Sequence, residues 1–372
     1  MSQDIASGEG KKAAGIMNSR RALQGAGLLV LIAAALAFPQ VYSNPAVTNY
    51  GVFALIFVTV ASAWNIFSGY TGYISVGHAV FFGSGAYAMG AAAEGWNLNG
   101  TKAFILLPFA GAVGAIVAVP FGLIALRVRR HTFIVITIAV FFIFQLMAYN
   151  LSFTHGTSGM NAPFLPWSPT AFNTNFYYIA LAYAAGTVAI SWLIRRARFG
   201  LQLRAIRDDE DRARGLGVRT MRVKLASFVI SGALTAMIGA VWFLYEAQVQ
   251  PNTGFDPLFD LTVVLMAFLG GYGTIAGPVL GALLIEPGTL WLNAQPQFSG
   301  GYLSEIMLGA IFLVVVLFVP RGIIPTGGEW ITRMRTRGRP AVVPATAIGP
   351  RSASADSASA TSVGSGSPGG AR

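Results

Sequence analysis

Runs of about twenty apolar residues recur along this chain, and nearly all of its charge is confined to the short segments between them. That alternation leaves few folds open. In hydrocarbon a backbone can satisfy its own polar groups only as a helix or a closed barrel, and continuous apolar runs are the helical pattern. The runs are Ala22 to Phe38, Tyr50 to Phe67, Ile74 to Ala93, Ala103 to Leu126, Thr132 to Leu151, Asn175 to Ile194, Val223 to Tyr245, Phe259 to Ile275, Gly277 to Asn293 and Tyr302 to Pro320. The expectation is an all-α integral membrane protein of about ten transmembrane helices. Phe259 to Asn293 reads either as two short spans or as one re-entrant hairpin. Only 10% of the residues are charged, against roughly 25% in a soluble domain.

The formal charge of +11 looks at first like a nucleic-acid footprint. Its distribution argues otherwise. Lys11, Lys12, Arg20 and Arg21, then Arg127, Arg129 and Arg130, then the stretch Arg195 to Lys224, then Arg321 onward, all fall on one side of a ten-span layout. The opposite loops, Pro39 to Asn49, Ser152 to Thr174, Glu246 to Leu258 and Ala294 to Gly301, hold no Lys or Arg, and Lys102 is the exception. This is the positive-inside pattern, so both termini are expected in the cytoplasm and no nucleic-acid partner is expected. Ala35-Leu36-Ala37 resembles a signal-peptidase site. The long basic lead and the many later spans favour a retained first helix.

Four domains of behaviour follow: residues 1-21 as a basic cytoplasmic N-terminus, 22-325 as the membrane domain, 326-339 as a juxtamembrane segment, and 340-372 as a tail. Arg333, Arg335, Arg337 and Arg339 suit contact with anionic membrane lipid. The tail is Ala, Ser, Gly and Pro with hardly a large apolar residue, so disorder is expected there.

Catalytic signatures are missing. The chain has no G-x-x-x-x-G-K-[ST], no H-E-x-x-H, no G-x-S-x-G and no cysteine. His78, His131 and His155 stand far apart, so no metal site, no cofactor bound by this chain and no enzymatic activity are expected.

Three other stretches stand out. The first runs from Gly69 to Ala88, with Gly69, Gly72, Gly77, Gly83 and Gly85 around Ser75 and His78. Small residues let helices approach closely, and they also mark broken helices that line a path; either reading fits, and His78 suits both. The second, Gly270 to Ala282, carries Gly271 and Gly273, and its echo of the first leaves open an origin in two related halves. Between them, His155 to Pro163 is a polar turn-rich loop. The third is the charged island Arg195 to Lys224, with ten Lys/Arg and four acids. Leu201 to Leu216 reads as one short helix ended by Gly215 and Gly217. Opposite charges stand four apart at Arg204 and Asp208, Arg207 and Asp211, Asp208 and Arg212, and Glu210 and Arg214.

At these residues the chain resembles the inner-membrane permease subunit of branched-chain amino acid ABC importers, the LivM type, from about Tyr50 to Pro325. The resemblance rests on Gly69, Gly72, Ser75, Gly77 and His78, on RFGLQLRAIRDDEDRARGLG, and on GGYGTIAGPVLGA. Tyr73 stands where the family usually has Gln and Val76 where Leu is common; the Ser/Gly tail is also unusual. The resemblance implies a multi-pass protein of the bacterial inner membrane. It implies a sister permease, two cytoplasmic ATPase subunits that use ATP, and a periplasmic or lipid-anchored solute-binding protein. The charged helix becomes an ATPase-coupling element, with Arg204, Arg207, Asp208, Asp209, Glu210 and Arg214 facing the ATPase. Gly69, Gly72, Ser75, Gly77, His78, Gly271 and Gly273 become a translocation path or close-packing positions. Permeases for urea or short amides, which share an R-A-I-R-D loop, are the alternative; a stand-alone carrier or membrane enzyme is a more distant one.

Overall fold

The computed structural model describes residues 30, 32–42, 44–295, 306–307, 309–310, 313, 317 and 322–326. The basic N-terminus, most of the last apolar run, the juxtamembrane arginines and the tail lie outside the described residues.

The described chain is almost entirely helical. In order come α1 (Ile32–Val41), α2 (Pro45–Trp64), α3 (Ala79–Gly95), α4 (Leu107–Ala125), α5 (Arg130–Asn150) and α6 (Pro169–Arg196). Then follow α7 (Arg198–Asp208), α8 (Glu210–Gly215), α9 (Thr220–Glu246), α10 (Pro251–Gly254), α11 (Pro257–Gly270) and α12 (Ala276–Asn293). Local chemistry places several starts. Asn44 and Asp256 accept from the backbone N–H two residues on, and Ser168 from that three residues on; each precedes a proline whose fixed φ suits the first helical turn.

Six helical stretches among the described residues are long and apolar enough to cross a membrane: Pro45–Gly69, Gly100–Ala125, Arg130–Asn150, Ala171–Arg196, Thr220–Glu246 and Pro251–Gly270. Two further expected runs give weaker helices. α3 has 17 residues, about 25 Å of helix. α12 is a continuous helix of 18 residues whose apolar run is broken by Glu286 and Pro287.

The long α9 is the central post, packed against α2, α3 and α4. α2 lies between α9, α6 and α12. Close approach depends on glycine: a Cβ on Gly85 would lie 2.0 Å from the Ala236 carbonyl oxygen, and one on Gly239 would lie 2.2 Å from that of Phe82. These contacts bring α3 and α9 to backbone distance, as small residues permit in a membrane. An aromatic cluster of Phe67, Phe81, Phe121, Phe133 and Phe228 fills the space among α3, α4, α5 and α9. In contrast, α4 and α5 expose Ile116, Ile124, Val135, Ile143 and Leu146, as helices at the rim of a membrane protein do. Tyr177 and Tyr178 of α6 donate to the carbonyls of Ala35 and Leu36, tying α1 to α6 at the stretch that resembles a signal-peptidase site.

Between the Ser152 to Thr174 and Glu246 to Leu258 loops, a two-residue antiparallel ladder pairs β1 (Met160–Asn161) with β2 (Gln248–Val249). It anchors the turn-rich His155 to Pro163 loop to the end of α9.

Candidate functional site: the charged loop and two glycine-rich breaks

The first break begins where α2 loses its register. After Trp64 the chain makes one π-helical turn, Asn65–Gly69, then leaves helical geometry at Gly72, whose φ of 74° favours glycine. Residues 72–78 run as irregular backbone before α3. Backbone inside protein must find partners, and side chains supply them here. Trp64 Nε1 donates to the Ser75 carbonyl at 2.8 Å, and the Ser75 N–H donates to Ser68 Oγ at 3.2 Å. Asp260 on α11 accepts from the N–H groups of His78 and Ala79 at 2.8 and 3.1 Å, and so caps the N-terminus of α3 from another helix.

His78 is fully buried, and its hydrogen bonds define its tautomer. Ser231 Oγ donates to the Ala63 carbonyl at 2.6 Å, so its oxygen accepts from Nε2–H of His78 at 2.8 Å. Nδ1 is then the acceptor for the Ser75 hydroxyl at 3.0 Å. The ring is a neutral structural strut between the break and α9. Among the described residues no group of three or more His, Asp or Glu could hold a metal ion.

The second break is shorter. α11 ends at Gly270, and residues 271–275 turn into α12 through Gly271 and Gly273, with φ of 116° and 77°. It is seated directly on the first. Asn65 Nδ2 donates to the Thr274 carbonyl at 2.7 Å, and the Gly273 N–H donates to Asn65 Oδ1 at 2.6 Å. A Cβ on Gly69 would lie 1.8 Å from Asn65 Oδ1 and 2.9 Å from Gly273 N.

The charged island folds onto both breaks. The single helix expected over Leu201 to Leu216 is two helices, because Asp209 takes an extended conformation (φ −156°, ψ 110°) and its Oδ1 accepts from the N–H groups of Asp211 and Arg212, both at 3.0 Å. An aspartate that can cap competes with helix continuation, which is why the helix divides there. The division puts two of the four expected i,i+4 charge pairs, Arg207 with Asp211 and Asp208 with Arg212, out of register, while Arg204, within α7 together with Asp208, donates to the Gly200 carbonyl instead. Glu210 and Arg214 remain, at 3.7 Å, joined by Asp209 and Arg212 at 3.1 Å. Leu203, Ile206 and Ala213 are buried against Ile66, Tyr70, Ile194 and Val223, so the loop has a small core of its own that includes the π-helical turn.

Two residues expected to face outward turn into the protein instead. Arg207 Nη1 donates to the Gly69 carbonyl at 2.9 Å, and its guanidinium lies 4.5 Å from the centre of the Tyr272 ring. Glu210 accepts from Lys224 Nζ at 2.7 Å and from the Tyr73 hydroxyl. Burial opposes ionisation of Glu210, yet the hydrogen bonds from Lys224 and Tyr73 and the charges of Lys224 and Arg214 outweigh it and hold the carboxyl below its ordinary value. Arg130 of α5 donates to the carbonyls of Ile206 and Arg207 at 2.9 and 2.6 Å and so caps the end of α7. Arg204 stays near its own helix, its Nε donating to the Gly200 carbonyl at 3.3 Å. Asp208 and Arg214 are exposed, as are Asp211, Arg212 and Leu216. Beside them opens a cavity of about 710 Å³ lined by Arg127, Arg129, Asp208, Asp211, Arg214 and Met221.

Several residues of this arrangement escape a motif search: Asn65, Arg130, Lys224, Ser231 and Asp260. Asp260 carried a readable signal, since a carboxylate inside an apolar run is rare in membranes and demands a partner. Asn65 carried a weaker one at the end of another run.

A family model described as branched-chain amino acid transport system / permease component matches residues 46–316. The chain is 24% identical to the high-affinity branched-chain amino acid transport system permease protein LivM of Salmonella typhimurium, over 80% of this chain and 74% of that one. It is 26% identical to the permease protein LivH of Escherichia coli over 72% of this chain and 91% of the relative, and 26% identical to a probable LivM of Methanocaldococcus jannaschii over 60% and 67%. No solved structure matches the chain. With the match spanning α2, both glycine-rich breaks and the charged loop, this chain belongs to the branched-chain amino acid transport system permease component family.

Proposed function

We propose that the chain is one permease subunit of an ABC importer for branched-chain amino acids, paired in the bacterial inner membrane with a sister permease. Two separate cytoplasmic ATPase subunits drive it, and a periplasmic or lipid-anchored binding protein supplies it. The observation that carries this reading is the two-sided charged loop. One side of α7 and α8 is exposed and charged, through Asp208, Asp211, Arg212 and Arg214, and the other is bonded to the breaks in the membrane helices. A loop of that kind suits an energy source that sits outside the chain, and the sequence carries no phosphate-binding loop of its own. In this reading α3 and α12 join the six longer stretches as further membrane-crossing segments, and both termini lie in the cytoplasm. Gly69, Gly72, Ser75, Gly77, His78, Gly271 and Gly273 border the path or let its walls approach, and substrate choice rests largely with the binding protein.

The test is co-purification and uptake of leucine in proteoliposomes holding the whole assembly. Asp211→Lys with Arg212→Glu reverses two exposed charges without touching the inward contacts. Lost ATPase association and lost uptake, with normal membrane insertion, are expected. Wild-type association and uptake would remove the docking role, and leucine uptake by this chain alone would make it a stand-alone carrier.

A further inference from the structure

Arg207 occupies a place that surface charge does not explain. It stands in the last turn of α7, yet its side chain reaches away from solvent to both glycine-rich breaks. The Gly69 carbonyl oxygen is available because the helix fails beyond it: the Tyr73 N–H, which would continue the helical ladder onto that carbonyl, donates instead to Thr71 Oγ1 at 3.2 Å. Arg207 Nη1 takes its place as donor. The same guanidinium lies over Tyr272, which stacks on Phe268 with ring centres 4.7 Å apart. The space for this side chain exists only because of glycine. A Cβ on Gly273 would lie 2.0 Å from Arg207 Nη1, and one on Gly72 would lie 3.1 Å from Arg207 Cγ.

These contacts join three segments distant in sequence at one cation. Asn65 already holds the two breaks together, so a displacement of either is felt by the other. The outer end of the lever is also defined, since Arg130 holds the α7 carbonyls of Ile206 and Arg207. We infer that Arg207 is a positioning residue for transport, the latch through which movement of the α7–α8 loop shifts the Gly69 and Tyr272 breaks together. Drawing α7 outward removes the donor from the Gly69 carbonyl and the cation from Tyr272 in one motion. Both breaks then lose a partner at the same moment and must rearrange. Lysine is a poor replacement, because an ammonium lacks the planar fork that can donate to a carbonyl while stacking on a ring.

This inference rests on the permease reading, and the experiment separates the two. The complete reconstituted transporter is assayed for ATP hydrolysis and leucine uptake side by side, with assembly followed by co-purification. For Arg207→Ala the complex assembles and hydrolyses ATP, while uptake per ATP falls about tenfold. Tyr272→Phe, which keeps the ring, retains the wild-type ratio, and Tyr272→Leu lowers it. Arg207→Ala combined with Tyr272→Leu is no worse than the more severe single change, because both remove one contact. A wild-type ratio in assembled Arg207→Ala overturns the latch and leaves the permease reading standing. Loss of assembly in Arg207→Ala, with Tyr272→Leu keeping the wild-type ratio, also overturns it and reduces Arg207 to a folding role. Failure of the wild-type chain to associate with ATPase subunits overturns the permease reading and the latch with it.

Discussion

The two glycine-rich breaks read alike in sequence and solve the same physical problem in different ways. At each, a helix stops inside the protein and releases backbone groups that need partners. The first is satisfied by a buried set of side chains, Trp64, Ser68, Ser75, His78, Ser231 and Asp260, drawn from the break and from α2, α9 and α11. The second is five residues long, partly exposed, and held chiefly by Asn65 and by its contact with Arg207. Composition marks where a chain can break. The source of the replacement partners decides what can move: the Ser75 to Ala79 end of the first break is a splint fixed by other membrane helices, whereas its Gly69 end and the second break take their partner from Arg207 and form a joint that a distant element can move.

The sharpest way to break that contrast is to remove the splint. Asp260→Leu strands the N–H groups of His78 and Ala79 in a dry setting, at about 1–3 kcal/mol for each group. The thermal midpoint of detergent-solubilised protein should fall steeply, and Asp260→Asn, which keeps an acceptor, should recover most of the loss. An unchanged midpoint would mean the first break is not fixed by this cap.

A smaller effect is expected at the joint. Gly273→Ala places a methyl group where Arg207 lies and where φ is positive, so about 1–3 kcal/mol is at stake from overpacking. Uptake should fall further than the melting temperature implies, because the variant also displaces the arginine. Proportional losses in both would put the two breaks on the same footing.

The smallest effect concerns pH at the loop. The Glu210 carboxyl, held below its ordinary value of 4.5 in the folded chain, adds stability that is complete above that value and is lost as pH falls through the lower folded value. Glu210→Gln should therefore flatten the dependence of the thermal midpoint on pH in the acid range while leaving uptake per ATP near wild type. Equal pH dependence in both proteins would show that the Glu210–Lys224 pair does not tie the loop down.

Legibility differed by element. α2, α4, α5, α6 and α9 coincide with long apolar runs, because length and hydropathy are properties of consecutive residues. The division of α7 from α8 was also written locally, in an aspartate able to cap, but the glycines at 215 and 217 were the stronger stop signal and drew the helix through Asp209. The inward direction of Arg207 and Glu210 was not readable. A charged residue in a charged loop resembles every other until its neighbours are known, and Lys224 in particular counted as one more positive charge although its side chain is buried against Glu210.

The sequence by itself determined that this is a helical membrane protein, where its helices weaken, and to which family it belongs. All of these follow from runs and motifs read along the chain. Only the tertiary structure decided that residues 65, 69, 207 and 273 meet, since the contact between Arg207 and Gly69 spans 138 positions. Packing of α2, α7 and α11 sets that meeting, and no local pattern encodes it.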